Sequence, residues 1–244
     1  MEYEEITPCT ALSPYIHAFW ELKGGNEDRQ WERNFPDGCA GLVINLGATC
    51  LTDNGMVRMD AGKTYVVGAM TSFKDSFIEE NTHLLGVCLK PGVFANFYNY
   101  ASQSEIIDQT IQLEAVQSFD IDKLIKNPAY YLNDFFTHRL QNGNGLLRMV
   151  IEDIHRTKGQ VNISEIAKRN FTTVRQLERK FKIQIGITPK EYSRIVRFQN
   201  ALSKIKCSGQ ETSLLDIAFE CGYYDHSHLT NDIKRNTGML PSQF

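Results

Sequence analysis

The same short apolar grammar occurs twice in the carboxyl-terminal part of the sequence, about fifty residues apart, and chance seldom writes a helical pattern twice. In "NISEIAKRNFTTVRQLERKFKIQIG" a short helix carries Ile163, Ile166 and Ala167, an abrupt turn follows, and a second helix turns Leu177 and Phe181 inward. In "SLLDIAFECGYYDHSHLTNDIKRNTG" the short helix carries Leu214, Ile217 and Ala218, Gly222 marks the turn, and Leu229 with Ile233 point inward. A short helix, a tight turn and a second helix with a polar outer face form a helix-turn-helix. Capping residues set the boundaries. Thr188, Pro189 and Glu191 read as a capping box that starts a long helix joining the two units. Ser213 with Asp216, and Asp225, are further N-cap candidates, while Gly186 and Gly238 sit where helices end. Leu147, Val150, Ile151 and Ile154 add one more helix in front.

A helix-turn-helix offers the N-terminal part of its second helix to the DNA major groove. With Leu177 and Phe181 inward, Arg175, Glu178, Arg179 and Lys182 project outward beside Thr173 at the turn. Arginine suits guanine edges and phosphates; Glu178 either accepts from cytosine or pairs with Lys182 one turn on. In the second unit His226, Thr230, Asn231, Lys234 and Arg235 lie outward or flanking. Asn231 fits adenine, and the last two fit phosphate, which positions without specifying. Charge follows the same division. Residues 1–144 hold 10 Lys and Arg against 19 Asp and Glu, residues 145–244 hold 16 against 10, so a half at −9 precedes a half at +6. That asymmetry points to a polyanion partner for the second half, or else to an ordinary solvated face.

The stretch from about Gly145 to Phe244 resembles the DNA-binding domain of the AraC family of bacterial transcription regulators. The likeness rests on "RKFKIQIGITPKEYSRIVRFQNAL" and "DIAFECGYYDHSHLTNDIKRNTGMLPSQF". "RNFPDGCAGLVINLG" and "GVCLKPGVF" are similar to a β-rich amino-terminal domain of some members. The resemblance implies promoter DNA as a partner, contact with RNA polymerase, and a first domain that senses a small-molecule effector, forms a homodimer, or both. There are departures. Phe171, Thr172 and Thr173 stand where the family has glycine, a hydrophobic residue and serine, so Asn170 is expected to take the left-handed turn. Leu229 replaces an aromatic, and Asn231 replaces a common Arg, which shifts base reading toward Arg175 and Arg179. His226 and His228 form an H-x-H pair with no third ligand nearby, so no metal is expected.

The first half reads as strands: "YIHAFWEL", "CAGLVINLGA", "TYVVGAM", "DSFIEE" and "HLLGVCLK" are short, rich in β-branched or aromatic residues, and separated by turn clusters. Fold class is therefore α+β: a β-rich, barrel- or sandwich-like domain over 1–143, then an all-α domain over 144–244, with the break in "QNGNG" at 141–145. Pro91 is expected to open a helix. The aromatic helix "NPAYYLNDFFTHRL" either makes a dimer contact or packs back on the strands. Trp20, Trp31, Phe35 and Tyr65 are candidate walls of an effector pocket, or plain core. Cys9, Cys39, Cys50, Cys88, Cys207 and Cys221 show no paired spacing. The start is acidic without signal-peptide character, and no apolar run approaches the roughly 18 residues of a membrane span. A reducing cytoplasm is the expected setting. With no nucleophile elbow, phosphate loop or dinucleotide fingerprint, neither an enzyme nor a cofactor is expected. The alternative is a small-molecule or partner-binding protein whose DNA-reading surface has weakened.

Overall fold

Phe19 and Trp20 are neighbours on one strand, so they face opposite sides of a sheet, and that alternation sets the layering of the amino-terminal half. The computed structural model describes residues 1–98, 102–114, 118–141, 145–207 and 212–244. Its strands are β1 (Glu2–Ile6), β2 (Ile16–Lys23), β3 (Arg29–Asn34), β4 (Gly41–Asn45), β5 (Cys50–Thr52), β6 (Val57–Met59), β7 (Thr64–Val67), β8 (Lys74–Glu79), β9 (His83–Leu89) and β10 (Thr110–Gln112). Six form one antiparallel sheet in the order β1-β2-β9-β4-β7-β10; β3 with β8 and β5 with β6 make two ribbons. β1 and β10 pair only inward, so the sheet is open at both edges and the β-rich region is sandwich-like, not a closed barrel. All five stretches read as strands contribute one: β2, β4, β7, β8 and β9.

One sheet face buries Phe19, Leu42, Ile44, Val66, Leu85 and Val87 under α1 (Ile121–Lys126) and α2 (Pro128–Arg139). Leu132 and Phe136 of α2 are fully buried there, Phe136 stacking on Phe19 at 6.2 Å and edge-on to Phe97 at 5.0 Å. The aromatic helix thus packs back on the strands, with Tyr130 left exposed. Pro91 opens no helix. It lies in a turn where Gly92 has φ +75°, and only a short 3-10 turn at Phe94–Asn96 follows. A left-handed residue directly after the proline stops a helix from propagating. The expected break at 141–145 falls on residues of which 142–144 lie outside those described.

The helical half runs α3 (Gly145–Arg156), α4 (Ile163–Arg169), α5 (Val174–Gln184), α6 (Pro189–Cys207), α7 (Leu214–Glu220) and α8 (His226–Thr237). α6 belongs to two cores. Tyr192, Ile195 and Val196 pack with α3, α4 and α5; Phe198, Ala201, Leu202 and Ile205 pack with α7 and α8. Thr188 and Glu191 close the capping box at its start, with Glu191 N–H donating to Thr188 Oγ1 at 3.2 Å and Thr188 N–H to Glu191 Oε2 at 2.8 Å. Ser213 and Asp225 cap α7 and α8, and Gly238 ends α8 at φ +71°.

The turn between α4 and α5 differs from expectation. Asn170 stays at φ −96°, and Phe171 takes the left-handed conformation at φ +51°. The hydrogen bonds explain it. Thr172 N–H donates to Ala167 O and Phe171 N–H to Lys168 O, the doubly bonded helix ending that places its left-handed residue one position beyond the cap. α7 ends identically: Tyr223 N–H reaches Ala218 O, Gly222 N–H reaches Phe219 O, and Gly222 has φ +71°. Phe171 is the structural counterpart of Gly222.

Candidate nucleic-acid interface

α5 starts on a cap that its own sequence supplies. Thr173 Oγ1 accepts from Gln176 N–H at 3.2 Å, and the Gln176 side chain accepts from Thr173 N–H at 3.3 Å. The Thr173 hydroxyl is therefore engaged as a cap, while the residue stays exposed. Leu177 and Phe181 are fully buried, which fixes the rotation of the helix and turns Arg175, Glu178, Arg179 and Lys182 to solvent. No ion pair involves these four among the described residues, so the Glu178–Lys182 pairing is not made. Three cationic heads and one carboxylate lie on one exposed face with no ion pair among the described residues, and the last turn of α4 adds exposed Lys168 and Arg169, two residues the sequence reading passed over. Their place in the last turn of the preceding helix was the signal that could have found them.

α8 repeats the arrangement with a weaker face. Leu229 and Ile233 are fully buried; His226, Asn231, Lys234 and Arg235 are exposed, and Thr230 is half-buried. Arg235 lies 4.0 Å from Asp232, whose other oxygen accepts from the buried Tyr223 hydroxyl at 2.7 Å. His228 packs edge-on against Tyr223 at 5.1 Å. Among the described residues no group of three His, Cys, Asp or Glu side chains could hold a metal ion.

The two units are tied by side chains that the sequence reading missed. Gln160 Nε2 donates to Glu220 O at 2.9 Å, Lys204 pairs with Glu220 at 2.6 Å, and the Arg197 guanidinium lies 4.4 Å over Tyr223. The β-rich region then holds α6 and the end of α8. Arg33 forms a two-pronged pair with Asp75 at 2.7 and 2.8 Å, stacks on Phe73 at 4.2 Å, and donates to Thr237 O at the end of α8 at 3.0 Å. Gln199 of α6 donates to Pro36 O at 2.5 Å. Such long-range contacts leave no local sequence pattern.

Of the four candidate pocket residues, Trp20 lines a cavity of about 200 Å³ between the six-stranded sheet and the β3–β8 ribbon. Its ring lies so close over Gly86 that a Cβ there would sit 1.8 Å from it. Tyr65 is buried behind that wall and its hydroxyl accepts from Asp60 N–H at 2.7 Å. Trp31 is half-exposed on β3 against Phe77, and Phe35 packs on Phe244 at the junction of the two halves. The same cavity contains a buried ion pair, Lys74 Nζ to Asp53 Oδ2 at 2.8 Å, with Thr110 Oγ1 donating to Asp53 Oδ1 at 2.9 Å.

Comparison with known proteins matches the geometry. A family model described as a helix-turn-helix domain matches residues 166–244, and one described as a domain of unknown function matches residues 4–112. The HTH-type transcriptional activator RhaS of Escherichia coli strain SE11 is 32% identical over 82 residues, 34% of this chain and 29% of that protein; RhaS of strain HS gives the same figures. The chain thus spans less than a third of the length of these curated relatives. Among solved structures, ToxT from Vibrio cholerae has a TM-score of 0.48 at 12% identity, over 100% of this chain and 97% of that one. An AraC-type regulator from Chromobacterium violaceum has a TM-score of 0.37 at 21% identity, over 40% and 87%.

Proposed function

We propose that this chain, whose residues 166–244 match a helix-turn-helix family model, is an AraC-type regulator that controls transcription by binding a bipartite promoter element. α5 and α8 read successive major grooves. α6, at 19 residues, is about 28 Å long, close to the roughly 34 Å of one duplex turn. The observation that carries the reading is the exposed cationic face of α5, where Arg175 and Arg179 form no ion pair among the described residues. Desolvating an unpaired arginine against guanine or phosphate breaks no existing pair. Arg175, Glu178 and Arg179 supply base reading, Thr173 and Lys182 flank them, and α8 contributes His226, Thr230 and Asn231, with Lys234 and Arg235 on phosphate.

In this reading residues 1–143 and 144–244 act as two domains, and the first modulates the second through an effector, a homodimer contact or both, with RNA polymerase a further partner. No helix among the described residues is long and apolar enough to cross a membrane; this reading places the protein in the cytoplasm and gives it no catalytic role. The test is mobility shift over a promoter library at several salt concentrations. Arg179→Ala should relax preference at one base position by about 1–3 kcal/mol; Lys234→Ala should weaken all sequences alike and flatten the salt slope by about one unit. Binding that is neither sequence-selective nor salt-dependent refutes the proposal.

A further inference from the structure

A cleft of about 860 Å³ lies where the β-rich region meets the helices, and none of the DNA-reading residues uses it. Tyr15, Leu89 and Val93 line it from the β side, Leu147, Ile151 and Tyr192 from the helical side. Its volume is within the range of small-molecule sites, and its surface is mostly apolar with a few convergent polar groups. The polar group that stands out is Asp37, in the loop between β3 and β4. Asp37 is exposed, and its side chain lines the cleft.

Asp37 has no cation of its own. Its Oδ1 accepts from Cys39 N–H at 2.9 Å, and no ion pair to it occurs among the described residues. The groups around it are His17 of β2, Cys39 in its own loop, Cys88 of β9 and Tyr192 of α6. Burial raises its pKa, the nearby His17 only partly opposing this. The other charges lining the cleft are Lys90 on the β side, and Arg148 with Glu152 on α3, which neutralise each other at 2.9 Å. A carboxylate that forms no ion pair and borders an apolar cleft is a receptor for a cation that brings its own apolar body.

We propose that this cleft is an effector site for a small amine, an aromatic or aliphatic body seated between Tyr15, Ile151 and Tyr192 with its protonated nitrogen paired to Asp37. The site has a direct connection to the DNA-reading units. Within the loop that holds Asp37, Pro36 accepts from Gln199 of α6, Phe35 packs on Phe244, and Gly38 sits so close to Tyr192 that a Cβ would lie 2.7 Å from its ring. Arg33, at the start of the same stretch, holds the end of α8. An amine drawing Asp37 toward the cleft therefore moves the segment that fixes α6 and α8. Only this effect on DNA affinity rests on the proposed function; amine binding stands apart from it.

The experiment is calorimetric titration and thermal melting of the full chain, without DNA, against a panel of arylalkylamines with 2-phenylethylamine as reference, its neutral alcohol and phenylacetate as isosteres. The amines should bind and raise the melting temperature, the carboxylate should not, and Asp37→Asn should lower amine affinity by at least about tenfold while sparing the alcohol. Ala95→Trp, at an exposed position on the cleft wall, should block every probe and leave the melting temperature of the free protein unchanged. Tighter binding of phenylacetate, equal amine affinity in wild type and Asp37→Asn, or no binding by any amine overturns the proposal. If amines bind and DNA affinity stays constant, the cleft site stands and its regulatory coupling falls.

Discussion

Replacing Phe171 by glycine should stabilise the first helix-turn-helix unit, although it deletes the largest side chain in the turn. Phe171 is held at φ +51° and is 101% exposed, so its ring buries nothing against the folded chain. For an L-residue the left-handed conformation costs about 1–2 kcal/mol, which glycine does not incur. Glycine's greater freedom in the unfolded chain takes back about 0.5–1 kcal/mol. Truncating a fully exposed ring adds nothing on the packing side, so a net gain of about 0.5–1 kcal/mol remains. In a chain of this size that raises the melting temperature by roughly 1–4 °C. Gly222 is the internal control, since it occupies the same position in the second unit with the same two hydrogen bonds. Phe171→Asn should give a similar but smaller gain, because asparagine tolerates the left-handed region better than phenylalanine. The assay is thermal and urea melting of both variants beside wild type. A loss of stability in Phe171→Gly would show that the ring has a folded partner and that the strain argument is wrong.

Other perturbations address the β-rich region and its grip on the helices. Arg33→Met removes the guanidinium from Thr237 O, Asp75 and Phe73 together, and should cost about 1–3 kcal/mol with faster amide hydrogen exchange in the last turn of α8. Asp75→Asn should leave that exchange nearly unchanged. Lys74→Met strands the buried Asp53 and should cost about 3–5 kcal/mol, whereas Lys74→Met with Asp53→Asn should recover most of it in a double-mutant melting cycle. His155, which meets the Tyr192 hydroxyl at 2.7 Å, has its pKa lowered by burial. The unfolded chain then binds its proton more readily, so folded stability falls as pH drops through the ordinary histidine range and levels off below the folded-state pKa. His155→Gln should flatten that part of the stability–pH curve.

The helical half was legible because its determinants are local. A 3.6-residue apolar period and caps at Thr188, Ser213 and Asp225 act within one turn, so Leu177, Phe181, Leu229 and Ile233 could be placed inward from the sequence alone. The left-handed residue was misplaced by one position because it is fixed by where α4 stops, and that depends on which carbonyls remain free. β3 went unread for a different reason: "RQWERN" is an exposed ribbon without apolar alternation, held by β8 and not by a core. Aromatic character alone could not separate Trp20 on the interior cavity from Trp31 on the surface or Phe35 at the junction. Asp37 was hidden inside "FPDG", which reads as a turn; only the docking of α6 makes its carboxyl part of a cleft.

The charge division gains a spatial meaning from these contacts. A half at −9 is joined to a half at +6, and the simplest electrostatic packing would lay acidic side chains over the basic recognition faces. The described contacts run the other way. Asp75 is paired with Arg33 of its own ribbon, Asp53 with Lys74, and the β-rich region meets the helices through Pro36, Phe35 and the end of α8. Arg175, Arg179 and Lys234 are left exposed without an ion pair among the described residues. The β-rich region thus holds α6 and the end of α8, and none of these contacts covers Arg175, Arg179 or Lys234. Under the proposed function, control by the β-rich region would act by shifting how α5 and α8 are held relative to each other through α6, and not by covering the proposed DNA-contacting surface.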